Sequence, residues 1–540
     1  MMQVEDRLKD AKAFSWMKEP EKEEEISEML QTDVVVIGAG QAGTCAARAA
    51  AEVDGTSVIV LEQQVRERQA ILGIGEVGHI NSKWQASYGI PKVDIDEFVN
   101  DWQMRTNNRS NYQLIRTYAE KCGECFDWFI EPLTKEEKAQ MYPMLKKPSP
   151  NMPRMVNGLC AYPGTAYMTV KIQNSAVKKN QALAEKLGAK FYFETKVHRL
   201  IKDGNRVTGV IAKKADGSFV QVNANKGVII AAGDYSKNRQ MCKDLLTEAA
   251  DLLDNNTDWL GHGWDGSGIQ MGVWAGARLE PRSHAAMGGN YSLPGFEVIG
   301  SAAVLRVNRY GKRYSNEGFG THILGALAGA KQPNGMLYGI FDDNIREELT
   351  YQTPCHAVFD YCSEERMKTL DDYLKRARIA GSEGIPVNKN TKMPRRLYAA
   401  DTIEKLASYL YEDETCRANF IKSVNRYNEL CKQGKDVDFG KDASLLHGVI
   451  KPPFYAVGQL KDSHHPIGQS FKLLVTVSGL LIDENQQVLN DDYEVIDGLY
   501  ATGNSSGCRF GFQYTTSVPG QSISMAHTLG REVGNYVAHI

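Results

Sequence analysis

DVVVIGAGQAGTCAARAAAEVDGTSVIVLEQQ, Asp33 to Gln64, decides how the rest of this chain is read. Val34 to Ile37 is a continuous apolar run, the signature of a parallel strand buried on both faces, and Gly38, Gly40 and Gly43 follow it with the spacing G-x-G-x-x-G. Each glycine has its own task. Gly38 permits a tight turn, Gly40 lets the backbone approach a pyrophosphate at a helix N-terminus, and Gly43 lets that helix lie close on the strand. Val58 to Leu61 is the second strand, and Glu62 at its end is placed to accept from a ribose hydroxyl, which disfavours a 2'-phosphate. The alternative is an α/β unit with an empty turn. Flavin and nicotinamide dinucleotides share the fingerprint, so the motif alone leaves the cofactor open.

With 540 residues the chain is too long for one core. It is 42% hydrophobic and 24% charged with a formal net charge of -3, which gives no reason to expect nucleic acid or an anionic membrane as partner. The opening MMQVEDRLKDAKAFSWMKEPEKEEEISEMLQ has no apolar core flanked by basic residues, and no later run has the ~18 apolar residues of a membrane span, so a cytoplasmic protein is expected. Ten scattered cysteines predict free thiols. The close pair in CGEC, Cys122 and Cys125, falls in a helical run with no second pair beside it, and packing is expected there in preference to a redox or metal role.

Residues 1–30 read as a charged arm. A second glycine-rich loop follows the first unit at Gly73, Gly75 and Gly78; it is placed to lie against a cofactor ring, and simple turn chemistry accounts for it equally well. Residues 95–135 and 165–188 have helical spacing, Gly188 being the stop of the second. KFYFETKVHRLIKDGNRVTGVIAKKADGSFVQVNANKGVIIAAGDY then alternates as a meander with turns at Asp203-Gly204 and Asp216-Gly217, closing on a buried strand. The expected fold class is α/β: a Rossmann-type dinucleotide-binding domain, parallel sheet plus β-meander, built from 31–276 and 448–540, with an inserted α+β domain at 277–447. The return to the first domain is placed at KPPFYAVGQL, where β pattern resumes.

The N-terminal fingerprint, IIAAGD, GSGIQMGVWAGA, VNRYGKRYSNE, SGLLIDENQQVL and GLYATGN followed by PGQSISMAHTLGR, in this order, resemble the flavoprotein family of fumarate reductases, urocanate reductases and 3-ketosteroid dehydrogenases over about residues 30–540. The resemblance implies non-covalent FAD, with the inserted domain capping the substrate. By motif position it puts Gly38, Gly40, Gly43 and Glu62 on the ADP half, Val197 beside the adenine, Ala232 and Gly233 on the pyrophosphate side, and Gly503, Asn504, Ser522 and Ile523 at the ribityl chain and ring. Asn504 stands where dicarboxylate reductases of the family have glutamate. Three further departures concern substrate: Thr321 for the proton-donating arginine, Val475 for a histidine ahead of Thr476, and Ser517 for the arginine that grips a carboxylate. A buried carboxylate without a cationic partner is costly, so the expected substrate is a small molecule neutral at its reacting end.

The segment GCRFGFQYTTSVPG supplies the candidate catalytic groups Arg509, Tyr514 and Thr516 together with the backbone N–H of Gly520, and His322 is the second candidate acid. A core tyrosine and a packing histidine are the competing accounts of Tyr514 and His322. His284, His464 and His465 carry no assignment. The leading expectation is an FAD-dependent reductase of the C=C bond of an α,β-unsaturated carbonyl compound, such as a 3-oxo steroid or bile-acid-like enone. The others are a ketone or ketosteroid dehydrogenase running in the desaturating direction and a flavin-binding redox sensor without turnover. Either enzyme needs an electron partner, an NADH-linked flavoprotein or a quinone.

Overall fold

Strand β1, Ile26–Ile37, is half exposed over its first residues and then fully buried from Val34 to Val36. The change has a simple cause. β6, Phe219–Ile230, pairs with β1 along its whole length, whereas β2, Val58–Leu61, joins on the other side only from Val34 onward, so only the second half is a central strand. β3 (Lys190–Tyr192), β2, β1, β6 and β7 (Val495–Ala501) are all parallel and lie in that order. β4 (Thr195–Asp203) and β5 (Arg206–Lys214) add the antiparallel meander to β6, turning at Gly204 and Gly217 with φ of +57° and +89°. The computed structural model describes residues 14–21, 25–71, 73, 75–246, 263–288, 295–319, 328–329, 332–333, 337–355, 358–387, 395–459, 473–514 and 516–540.

Helix α1, Gln41–Ala51, is buried at every position and consists mostly of Ala, because it is squeezed between the sheet and the terminal helix. That terminal helix, Gln521–His539, meets it through glycines one turn apart. A Cβ on Gly530 would lie 2.5 Å from the Ala42 carbonyl oxygen, and one on Gly534 2.2 Å from that of Ala46. Helices Tyr112–Ile130 and Val170–Lys186 complete this layer. The helical run expected over 95–135 is broken into Ile95–Arg105 and Tyr112–Ile130, the second capped by Asn111, whose side chain accepts from the N–H groups of Gln113 and Leu114. Cys122 and Cys125 sit in it as free, buried thiols that burial pushes up to about 12, so neither is a thiolate at neutral pH.

The inserted domain is a five-stranded antiparallel sheet in the order Leu305–Asn308, Leu337–Phe341, Phe454–Gln459, Arg395–Ala400, Ile385–Pro386. Alternation buries both faces. Leu397 and Ala399 face Leu370, Leu374 and Ala377 of helix Glu364–Ala380, while Tyr398 and Ala400 pack with Leu406, Phe420 and Val424 from helices Ile403–Leu410 and Glu414–Gln433. Buried Glu317 receives Arg313 at 2.8 Å, and Arg313 also reaches Asp436 at 2.7 Å, tying loops to this core.

Both edges of the insertion differ from 277–447. Phe454–Gln459 is its central strand, paired on both sides within the insertion, so KPPFYAVGQL does not begin the return. At the other edge, Ala277 and Ala285 to Met287 belong to the core of the dinucleotide domain, and Ala286–Gly288 pairs antiparallel with Leu473–Thr476. Among the described residues the insertion therefore runs over 295–459. The arm is also shorter than 1–30: β1 begins at Ile26, and Trp16 is buried with its indole N–H donating to Asp244 at 2.9 Å. Among the described residues no helix is long and apolar enough to cross a membrane.

Among the described residues three buried histidines are held neutral in the dinucleotide domain. His79 stacks on Phe126 and His527 on Phe129, each at 3.8 Å between ring centroids; burial pushes both down to about 3. His284 accepts from the Tyr235 hydroxyl at 2.9 Å on Nδ1, and burial pushes it down to about 4. Above pH 6.5 each ring is neutral folded or unfolded. Below it the unfolded chain takes up protons that the folded chain refuses, so stability falls as pH drops from 6.5 towards 4, by on the order of 2 kcal/mol per histidine at pH 5. Thermal midpoints between pH 7 and 5.5 are expected to decline, and the slope to flatten by about one proton in His527→Gln. An unchanged slope in that variant would show the ring to be protonated in the folded protein.

Candidate active site

The carboxyl ends of β2, β1, β6 and β7 open in that order onto a cleft, where an open α/β sheet binds its ligand. Across the sheet the lining passes from Glu62, Lys196 and Val197, through Gly38, Gly40, Ala232 and Gly233, to Gly503, Asn504, Ser522 and Ile523. The structure thus brings together every expected cofactor residue except Gly43, which lies beneath the turn: its Cβ would be 1.9 Å from the Gly38 carbonyl oxygen. Gly38 has φ +98°, and its Cβ would be 2.6 Å from the Ala231 carbonyl oxygen. Gly40 is different. A Cβ there meets no protein atom within 4 Å, because it points into the cleft at the N-cap of α1. Glu62 accepts from the N–H of Ala39 at 2.8 Å and of Gln64 at 2.9 Å, so its carboxylate also fixes the turn that it was expected to serve only as a ribose acceptor.

At the far end, Gly520 opens the terminal helix with φ +78°, and its Cβ would be 2.5 Å from the Glu76 carbonyl oxygen. Gly78 approaches Pro519 as closely, a Cβ there being 2.0 Å from its carbonyl oxygen. The second glycine loop therefore packs on the N-terminus of that helix. Tyr514 is buried beside it, its hydroxyl oxygen accepting the N–H of Ser522 at 3.2 Å; burial first, and then the nearby charge of Glu76, push the phenol above its usual range, so it keeps its proton. Met287, Leu474 and Val475 make this end apolar.

The other candidates are placed differently. Thr516 does not line the cleft, and its carbonyl accepts from Arg105 at 3.1 Å. Arg509 is fully buried behind the wall, with Nη2 donating to Asn504 Oδ1 at 3.2 Å, so it does not reach a bound substrate. His322, His464 and His465 lie outside the described residues. Two residues were missed. Glu76 sits in the second glycine loop, where GIGEVG was the available signal. Asp234 is buried on the cleft and accepts the N–H groups of Trp264 at 2.6 Å and Thr476 at 2.7 Å; burial pushes its carboxyl up and these donors oppose that. Among the described residues no cluster of His, Cys, Asp and Glu forms a metal site.

The cleft fits an extended dinucleotide. It provides an open approach at Gly40, an unobstructed helix N-terminus for the pyrophosphate, an acidic terminus on β2, and a second helix N-terminus at Gly520 for the ring end. Gly40→Val is expected to fold with little loss of stability, since the new side chain meets open space, and yet to purify without flavin. Absorbance at the flavin bands against protein concentration checks this; a fully yellow Gly40→Val would remove the pyrophosphate assignment.

Comparison with known proteins agrees with this geometry. The family model described as FAD binding domain matches residues 33–523. The vinyl phenol reductase of Lactiplantibacillus plantarum is 25% identical over 527 residues, covering 94% of this chain and 96% of its own. The cytochrome-type fumarate reductase of Shewanella frigidimarina is 24% identical over 94% of this chain and 77% of its own. The structure of 3-ketosteroid-Δ4-(5α)-dehydrogenase from Rhodococcus jostii superposes with a TM-score of 0.65 at 22% identity, covering 95% of this chain and 98% of the other, which shows a shared fold. The chain belongs to the FAD binding domain family and is an FAD-dependent oxidoreductase acting on CH–CH groups.

Proposed function

We propose that this protein reduces the C=C bond of an α,β-unsaturated carbonyl compound that is neutral at its reacting end, with bulky enones such as 3-oxo steroids or bile-acid intermediates in the class. One observation carries the reading: a protonated tyrosine hydroxyl and a helix N-terminus share the apolar end of the cleft, while the only cation among the described lining residues, Lys196, stands at the opposite end beside Asp265 at 3.2 Å. The flavin, when bound, supplies the hydride. Tyr514 and the Gly520 end of the helix hold the carbonyl oxygen as negative charge builds on it, a stabilisation that is strong in a site walled by Met287, Leu474 and Val475. The apolar wall also keeps water from the reacting carbon. A carboxylate there would lack a charged partner. That a relative spanning nearly the whole chain is named for vinyl phenol, a conjugated alkene without a carboxylate or a carbonyl, supports the neutral C=C part of this reading. The electron donor in this reading is an NADH-linked flavoprotein or a quinol.

A panel of acceptors added to the anaerobically reduced enzyme tests the proposal. Neutral enones are expected to reoxidise the flavin and fumarate to do so negligibly. Tyr514→Phe should keep its FAD and lose roughly 10²–10³ in the rate of enone reduction, the usual consequence of deleting one donor to a developing oxyanion. Efficient fumarate turnover, or a fully active Tyr514→Phe, would place the chemistry elsewhere.

A further inference from the structure

Arg509 is a fully buried cation whose hydrogen-bond partners among the described residues are all neutral. Its Nη2 donates to the Val477 carbonyl at 3.3 Å, the Ser506 carbonyl at 3.2 Å and Asn504 Oδ1 at 3.2 Å, and its Nε to Ser506 again at 3.3 Å. Nη1 has no partner among the described residues. The backbone beneath is fixed by the Trp102 indole, which donates to the Arg509 carbonyl at 2.9 Å. Burying a guanidinium without a carboxylate in contact is expensive, so its position calls for a cause. Among the described residues the carboxylate that acts on it is Glu280, itself occupied by the N–H groups of Cys508 at 2.9 Å and Gly479 at 3.2 Å. Burial lowers Arg509 to about 10 while Glu280 opposes the fall, so it is charged at neutral pH.

The contact with Asn504 has a fixed sense. A guanidinium has donors only, so the amide atom facing it must be oxygen. The Ser522 hydroxyl points at that same oxygen from 3.5 Å. The Nδ2 edge is thereby turned away from Arg509, on a residue that lines the cleft, and it has no partner among the described residues.

We propose that Arg509 is a positioning residue for the flavin, which locks the Asn504 amide with its N–H edge towards the cleft and sets a positive charge behind that wall, so raising the reduction potential of the bound cofactor. Uptake of two electrons and one proton adds one negative charge to a flavin, and both a donor edge and a buried cation favour the charged form in a site of low dielectric. The proposal rests on FAD in this cleft and is independent of which substrate is reduced.

The test is the midpoint potential of the flavin in the holoenzyme without substrate, by anaerobic titration against reference dyes, with FAD dissociation measured alongside. Arg509→Met is expected to lower the potential by the equivalent of roughly tenfold or more in the equilibrium between oxidised and reduced forms, and Arg509→Lys to restore part of it. Asn504→Leu should lower it too, and the double variant should fall short of the sum because the two residues share one contact. Should Arg509→Met fail to fold, Asn504→Asp in the native background replaces the donor edge with an acceptor and is expected to lower the potential as well. An unchanged potential in Arg509→Met or Asn504→Asp overturns the proposal, as do strictly additive shifts or a Lys variant no better than Met.

Discussion

A contact with no room for a methyl group holds this structure together: a Cβ at Gly43 would stand 1.9 Å from the carbonyl oxygen of Gly38. Because that space is empty, α1 can lie on the end of β1 with its N-terminus aimed at the strand ends, and its first turn becomes part of the cleft. The same economy recurs on the other side of the helix, where Gly530 and Gly534 bring the terminal helix against Ala42 and Ala46. That second close approach carries the N-terminus at Gly520 to the far end of the cleft. Two helix N-termini thus face a single cleft, and both depend on glycines that do not line it.

Buried charge does the remaining work of assembly. Asp234, four residues beyond the end of β6, takes N–H groups from Trp264, Thr476 and Ser236, and so joins three stretches of chain that are separated by up to 242 positions. Glu280 does the same for Gly479 and Cys508. Burial raises both carboxyls, and the donors that lower them again are the backbone groups whose positions shape the wall. A carboxylate that gives up water can recover the cost only from several well-placed donors, so each of these residues fixes local geometry more tightly than apolar packing would.

How much of this was legible follows from how local each feature is. The turn at Gly38, the buried strand after it, Glu62 and the meander turns are written in consecutive residues, and the structure has them where the residues say. The edges of the insertion are not local. Phe454–Gln459 reads as a generic strand, and nothing within it tells that its partners are Leu337–Phe341 and Arg395–Ala400, over 50 residues away. Ala277 to Met287 carries equally little sign of the sheet that it joins. For the site, spacing from a glycine turn found the groups on the cleft wall, including Tyr514 and Gly520. It could not separate Arg509, which lies behind the wall, from residues in it, because one step along an irregular segment reverses the direction of a side chain. Nor could it rank Glu76, whose place beside Tyr514 comes from the packing of Gly78 on Pro519.

The insertion is flanked by two segments of the dinucleotide domain that pair with each other. The chain leaves the dinucleotide domain at Ala286–Gly288 and is back within it at Leu473–Thr476, and these two segments are paired antiparallel, Ala286 opposite Thr476 and Met287 opposite Val475. Departure and return thus form one two-stranded ribbon. Met287, Leu474 and Val475 on that ribbon are also the apolar wall at the Tyr514 end of the cleft. Asp234, four residues beyond the end of β6, accepts the Thr476 N–H at 2.7 Å, so the ribbon that carries this wall is anchored on the strand ends that open onto the cleft.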